Sequence, residues 1–441
     1  MPVTIRNLIE RMSGHQGFRR YLFNTSWLFG EQALRILAGL FVGIYVARYL
    51  GPEQFGVYSY SLAFVALFSA VGRLGLDGIL VRDLVNHPDR RDVYLGTAFW
   101  LKVIGAIFAL LMLTVLLQVA ANDATTNLYI YIIACGMIFQ SCDVVDSYFQ
   151  SKVLSKYVSI AKVAQLVLSS LLKLYFVSIQ ADLFWFVLVS LVDQISLALC
   201  LLVAYYRQRL GSFWGKFDPD IARVMLKNCW PLVLSHISVA VYMRMDQILI
   251  KELLGEREVG IYAAAAKISE VWSFIPVIVT NSLFPAILNA KKVDHMLYSA
   301  RLQRLYSVMV LSAFVVALPI TLFSDWIVQI LYGTAYRDAG PVLMIHVWTG
   351  VFVALGTASS TWLLSESLQR FALFRTLSGA MASLVLNVAL IPHYGTMGAA
   401  AAAVIGYMIA GFIFDLFNNE TRRMFFMKVD AFILKGIRVG N

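Results

Sequence analysis

Apolar runs of about 18 to 25 residues alternate with short polar gaps along the whole chain. They fall near 23–47, 55–76, 95–119, 127–145, 157–178, 182–205, 229–250, 260–288, 304–324, 341–363, 371–391 and 396–417. A helix rises about 1.5 Å per residue, so each run matches the roughly 30 Å hydrocarbon core of a bilayer. The pattern predicts an all-α polytopic membrane protein of about twelve transmembrane helices. The longest gap, 206–228, is basic and carries Gly211, Phe213, Trp214 and Pro219, which reads as a link between two halves. The expected organisation is a cytoplasmic amphipathic segment at 1–20, an N-terminal six-helix bundle at 21–205 and a cytoplasmic linker at 206–228. A C-terminal six-helix bundle at 229–418 and a cytoplasmic amphipathic tail at 419–441 complete it. The two ends qualify because Ile5, Leu8, Ile9 and Met12 lie among arginines, and Phe425, Phe426, Phe432 and Leu434 among lysines and arginines.

Composition narrows the class further. Of 441 residues, 60% are hydrophobic and 14% charged, where soluble chains carry about 25% charged residues. That excludes a soluble enzyme of this size. A net charge of +10 invites nucleic acid as a partner, but the basic residues are scattered between apolar runs and form no stripe, so none is expected. The charge reads instead as topology. One set of alternate connections gathers residues such as Arg19, Arg20, Arg90, Arg91, Lys216, Lys291, Arg301, Arg370, Arg375, Arg422 and Arg423. The opposite set has only Arg48, Lys251, Arg257 and Arg337. Cytoplasmic segments carry the Lys and Arg excess, so both termini are expected in the cytoplasm, with an even number of spans. No small-residue cleavage site follows the first apolar stretch, so no removable signal peptide is expected.

The chain offers little to a catalytic or metal-site reading. Cys135, Cys142, Cys200 and Cys229 show no CxxC spacing and sit in or beside apolar runs, as buried small hydrophobes do. The six histidines are isolated, and no HExxH, GxSxG or Walker motif occurs. No cofactor and no metal is expected.

An internal repeat sets the architecture. Leu50-Gly51-Pro52-Glu53-Gln54-Phe55-Gly56-Val57-Tyr58 recurs, offset by 204 positions, as Leu254-Gly255-Glu256-Arg257-Glu258-Val259-Gly260-Ile261-Tyr262. Each copy lies between the first and second span of its half. Glycine there suits a helix end and a tight turn. The unit of duplication is therefore six spans in the same orientation, which predicts two bundles related by an axis along the membrane normal and enclosing a central cavity.

Charges inside the spans supply the candidate chemistry. Each would cost about 2.5–3.5 kcal/mol if it faced lipid at midplane, so most must face a bundle interior or a hydrated cavity. At 100° per residue Asn24, Glu31 and Arg35 share one helix face. Lys162, Ser169 and Lys173 share another. Arg244 and Asp246 precede the second repeat motif, and Lys267 and Glu270 follow it. Such cations either sit in internal ion pairs or receive an anion, and Arg and Lys suit phosphate oxygens. The substrate-binding candidates are Arg35, Arg244, Lys267, Lys162, Lys173 and Asn24. Glu31, Asp246 and Glu270 are candidates for ion coupling or charge pairing.

The chain resembles the bacterial polysaccharide (O-antigen type) flippases of the multidrug/oligosaccharidyl-lipid/polysaccharide exporter superfamily. The resemblance rests on Ser26-Trp27-Leu28-Phe29-Gly30-Glu31 leading to Arg35, and on the run from Tyr45 to Tyr58. It continues with Gly75-Leu76-Asp77-Gly78, Val81-Arg82-Asp83-Leu84, Arg244-Met245-Asp246-Gln247 and the stretch from Gly260 to Glu270. Asn387 and Ile391-Pro392-His393-Tyr394-Gly395 before an alanine run complete it. It implies a flippase moving a polyprenyl-diphosphate-linked oligosaccharide, an O-antigen or exopolysaccharide repeat unit, from the cytoplasmic to the periplasmic leaflet of the inner membrane by alternating access. Arg35, Arg244 and Lys267 match positions associated with substrate handling in the family. The implied partners are the lipid-linked oligosaccharide, membrane lipids, and a polysaccharide polymerase with its chain-length machinery. Two alternatives remain at this point: a cation-coupled multidrug exporter of the same superfamily, and a membrane enzyme of polysaccharide assembly.

Overall fold

A computed structural model describes residues 16–434 apart from 121, 210 and 367. The amphipathic pattern of the first fifteen residues lies outside them. Among the described residues ten helices, rather than about twelve, are long and apolar enough to cross a membrane. The difference arises at two places where helix runs nearly unbroken through a turn. Ser26–Asn86 spans 61 residues and Arg370–Leu416 spans 47, each far longer than the roughly 20 residues that one crossing needs. Each takes in two of the apolar runs. The backbone leaves helical geometry inside them at Gly51 (φ 72°) and Gly395 (φ 58°).

The helices are α1 (Gln16–Gly72), α2 (Asp77–Asn86), α3 (Arg91–Leu117), α4 (Ala124–Phe139), α5 (Val144–Ser151), α6 (Ser155–Ser178), α7 (Leu183–Arg207) and α8 (Pro219–Leu254). There follow α9 (Glu256–Glu270), α10 (Phe274–Val293), α11 (His295–Leu322), α12 (Ser324–Tyr332), α13 (Ala339–His346), α14 (Thr349–Ser365), α15 (Gln369–Gly411) and α16 (Asn419–Phe432). They form two compact units. One contains Val65–His236 with the chain before Ala47, and the other contains Ile237 onward together with Ala47–Phe64.

In the first unit Leu76, Leu80, Leu95, Ala98, Val144, Phe149, Leu201 and Phe213 are fully buried in one core. The segment expected as a linker contributes to it. Phe213 stacks on Trp214, the Trp214 carbonyl accepts from Trp100 Nε1 at 2.8 Å, and the Asp218 amide donates to Thr97 Oγ1 at 3.0 Å. The Asp218 carboxylate then accepts from the Asp220 and Ile221 amides and starts α8. Large apolar side chains such as Phe41, Leu111, Val115 and Leu171 stand more than 60% exposed, the surface expected of helices that face lipid tails rather than water.

In the second unit Leu305, Tyr306, Met309, Ala313, Ala354, Leu355 and Ala358 form the core. Its C-terminal helix, read from sequence as interfacial, buries Thr421, Met424, Lys428 and Ala431. Those positions recur at helical spacing and make one face, which lies against α11. Lys428, wholly buried, donates to the Gly411 carbonyl at 2.6 Å and pairs with Asp415.

The repeat motif folds back on itself here. Gly51 and Gly255, equivalent in the two copies, both adopt positive φ (72° and 99°), which glycine tolerates best. Five residues on, Gly56 and Gly260 mark a reciprocal contact. A Cβ on Gly56 would meet the Glu256 carbonyl oxygen at 1.8 Å, and one on Gly260 would meet that of Pro52 at 1.9 Å. Pro52 and Glu256 are themselves equivalent positions, so the two copies cross with local two-fold symmetry.

Candidate functional site

Most of the basic residues assigned to the spans of the first unit are already paired. Arg35 Nε donates to Glu31 at 2.7 Å, one helical turn away, with Glu31 buried. Arg35 Nη2 is buried without a partner among the described residues. Lys162 pairs with Asp146 at 2.9 Å, and Lys173 lies 3.5 Å from Asp193, which also accepts from Ser169 at 3.0 Å. Buried Lys102 pairs with Asp77. Asn24 lies on α1, but its side chain is outside the described residues. Glu31 and Arg35 thus meet as their shared face predicts. Lys162 and Lys173 each find an acid that periodicity did not connect to them.

The second unit gathers the other four. Asp246, on α8, is 5% exposed and accepts from Tyr262 Oη and from Asn387 Nδ2, each at 2.7 Å. The Asn387 amide also donates to the Ser383 carbonyl at 2.9 Å. A helix of the second repeat, α9, carries Tyr262, Lys267 and Glu270, the last two about one turn apart. Glu270 has Arg244 and Lys267 as its electrostatic partners, and Arg244 also acts on Asp246. Among the described residues no carboxylate lies within 4 Å of Arg244.

Beside this network lies a cavity of about 320 Å³ whose wall includes Tyr242, Ser269, Glu270, His346, Arg375 and Tyr407. Ser269 and His346 Nδ1 share a hydrogen bond. His346 sits across from Tyr262, with the two rings edge to face at 5.6 Å. Arg375, counted from sequence with the basic residues of a cytoplasmic connection, is 6% exposed. Its Nη2 donates to Ser360 Oγ at 2.7 Å and to the Gly356 carbonyl at 3.2 Å. Sequence reasoning missed Tyr242, Tyr262, Tyr407, Arg375 and His346 as site residues. Only Tyr262 carried a usable signal, its place in the repeat. A cluster of three or more potential metal ligands is absent among the described residues.

Long apolar helices with lipid-facing exteriors and a polar, charged group inside the second unit define a helical membrane protein. The comparisons with known proteins agree. Residues 21–291 match the family model described as "Polysaccharide biosynthesis protein", and the chain belongs to that family. A curated relative from Haloferax volcanii, described as the probable low-salt glycan biosynthesis flippase Agl15, is 24% identical over 392 residues, covering 84% of this chain and 78% of the relative. An inward-facing multidrug resistance MATE family transporter of the MOP superfamily shares the fold with a TM-score of 0.65, at 15% identity. The match covers 91% of this chain and 95% of that one. The lipid II flippase MurJ in an inward closed conformation gives a TM-score of 0.55 at 14% identity, covering 93% and 91%. These relatives are flippases and transporters, not enzymes.

Proposed function

We propose that the protein is a flippase for polyprenyl-diphosphate-linked oligosaccharide, an O-antigen or exopolysaccharide unit. It carries the unit from the cytoplasmic to the periplasmic leaflet of the inner membrane by alternating access, with both of its termini in the cytoplasm. The observation that carries the reading is the intramembrane group Arg244, Asp246, Lys267 and Glu270 in a chain of a polysaccharide biosynthesis family. A diphosphate needs cations that are within reach but not consumed by salt bridges, and Arg244 meets that requirement. Arg35, in the first unit, keeps an unpartnered Nη2 beside its pair with Glu31 and is proposed as a phosphate contact of that unit, and Lys267 as a further one of the second. Asp246 and Glu270 balance the cations when no substrate is bound. Sugars and phosphates travel through a polar route while the polyprenyl tail stays in lipid. An inside-negative potential favours outward movement of each uncompensated negative charge by about 2.3 kcal/mol per 100 mV, so two charges give about 4.6.

The test is a proteoliposome assay that scores lipid-linked oligosaccharide made accessible to a membrane-impermeant reagent. Protein-dependent exposure that falls in Arg244→Ala and Arg35→Ala, at normal membrane abundance, is expected. Normal transport by both variants would remove the cationic mechanism. A rate indifferent to collapsed potential and pH gradient would remove the driven form. The acids Asp246, buried, and Glu270, half-buried, on a fold shared with a MATE transporter, favour a second reading, a cation-coupled multidrug exporter. Export of cationic dye without any exposure of glycan lipid would select it.

A further inference from the structure

We infer that the cavity beside Arg375 is a carboxylate site that takes an acidic sugar residue. The class of ligand rests on the glycan-flippase reading. The site itself rests on an imbalance of charge and hydrogen bonding. Arg375 is 6% exposed, and among the described residues no carboxylate pairs with it. The acid that acts on it most strongly, Asp415, already pairs with the buried Lys428. Glu270, on the wall of the same cavity, answers to Arg244 and Lys267 instead. A buried guanidinium left without its counter-charge is costly.

Its hydrogen bonds are equally one-sided. Nη2 uses Ser360 and Gly356, while Nη1 is buried without a partner. Tyr242, a residue 8% exposed, lines the same cavity, and its hydroxyl, buried like Nη1, is also without one. Two unpartnered donors on one cavity wall call for an acceptor, and the charge of one of them calls for an anion.

The rest of the lining selects the kind of anion. The pair of free donors suits a single carboxylate, whereas a diphosphate carries more charge and more oxygens than they can satisfy. The hydroxyls of Ser273 and Thr349 already donate to backbone carbonyls, so their oxygens keep acceptor capacity for sugar hydroxyls. Tyr242 and Tyr407, with ring centroids 4.1 Å apart, add aromatic surface for the apolar face of a pyranose. A volume of about 320 Å³ sits at the small end of ligand pockets, the scale of one sugar rather than a whole repeat unit. The carboxylate comes either from a lipid-linked uronic acid or from a free sugar acid.

The experiment is calorimetric titration of the full chain in nanodiscs with glucuronate, glucose and pyrophosphate. Glucuronate is expected to bind and the other two to bind at least about tenfold more weakly, the scale of one charge-assisted hydrogen bond. Arg375→Gln should lose glucuronate binding by a similar factor. Tyr242→Phe, which removes a hydroxyl with no protein partner and so leaves folding intact, should weaken it several-fold. Equal binding of glucose, tighter binding of pyrophosphate, or unchanged affinity in Tyr242→Phe and a folded Arg375→Gln would each overturn the inference. Glucuronate exposed only when attached to lipid identifies the lipid-linked source, and uptake of free glucuronate the other. Failure of the flippase reading appears separately, as absent glycan-lipid transport with glucuronate binding intact.

Discussion

Adding one methyl group at the crossing of the two repeat copies tests whether that crossing holds the fold. In Gly56→Ala the new Cβ lies 1.8 Å from the Glu256 carbonyl oxygen, and ordinary contact begins at 3.4 Å, so the helices must part by about 1.6 Å. In Gly260→Ala the corresponding distance to Pro52 is 1.9 Å. The obstructing atoms are backbone on both sides, which no rotamer change relieves. Overpacking typically costs about 1–3 kcal/mol, and a clash against backbone belongs at or above the top of that range. Alanine returns up to about 1 kcal/mol through helix propensity, leaving a net loss of about 2 kcal/mol or more. Gly39→Ala is the internal control. Nothing lies within 4 Å of its Cβ position, so it keeps the propensity gain without the clash.

Thermal melting of detergent-purified protein, followed by size-exclusion recovery, reads the difference. Gly56→Ala and Gly260→Ala should melt well below the parent, and Gly39→Ala at or above it. The two crossing variants act on one contact, so the double variant should lose less than the sum of the singles. Gly56→Ala and Gly260→Ala melting together with Gly39→Ala would refute the close crossing.

Other sites give sharper tests of charge. Asp246→Ala leaves the buried Tyr262 hydroxyl and Asn387 amide short of an acceptor, at about 1–3 kcal/mol each. Asp246→Asn keeps an acceptor oxygen and should melt closer to the parent, so equal losses in both would place the importance in the charge instead. Lys428→Ala strands the buried Asp415 and should cost about 3–5 kcal/mol, whereas Lys428→Met with Asp415→Leu should recover most of it. Hydrogen bonding from Thr126, and then from Thr125, holds the Asp123 carboxyl below the usual carboxylate range. Its contribution is therefore complete above the unfolded value of about 3.9 and disappears as pH falls through the lower folded value. Asp123→Ala should lose about 1 kcal/mol at neutral pH and lose its difference from the parent under acid conditions. A pH-independent difference would reject the cap as the cause.

The sequence made some of this legible because membrane physics forces a visible pattern. Every apolar run has a helix, since an exposed backbone amide in hydrocarbon costs several kcal/mol. The repeat announced its glycines, and Gly51, Gly56, Gly255 and Gly260 do what only glycine does easily. The number of separate helices was less legible. Gly51 and Gly395 turn the backbone within a residue or so, leaving almost no polar gap for hydropathy to register. The segment 206–228 looked like a linker because its few aromatics lie in a basic, glycine-containing stretch. Its partners, Trp100 and Thr97, are more than a hundred positions away.

The same range of separation explains what happened to the charges. Helical periodicity detects a pair only when both members lie on one helix, as Glu31 and Arg35 do. Lys173 and Asp193 are 20 positions apart and Asp246 and Asn387 are 141. Sequence establishes that an intramembrane cation needs an anion but not which molecule supplies it. The structure divides the cations on that point. Lys162 and Lys173 have acids of their own, as buried Lys102 does, and a diphosphate at Lys162 or Lys173 would first have to displace a carboxylate. Arg244 and Arg375 have no carboxylate within 4 Å among the described residues, and both lie in the second unit beside the Asp246 network and its cavity. A residue counted as loop charge therefore takes a place among the strongest candidates for contact with an anion, and a pair of lysines chosen for their shared face leaves it.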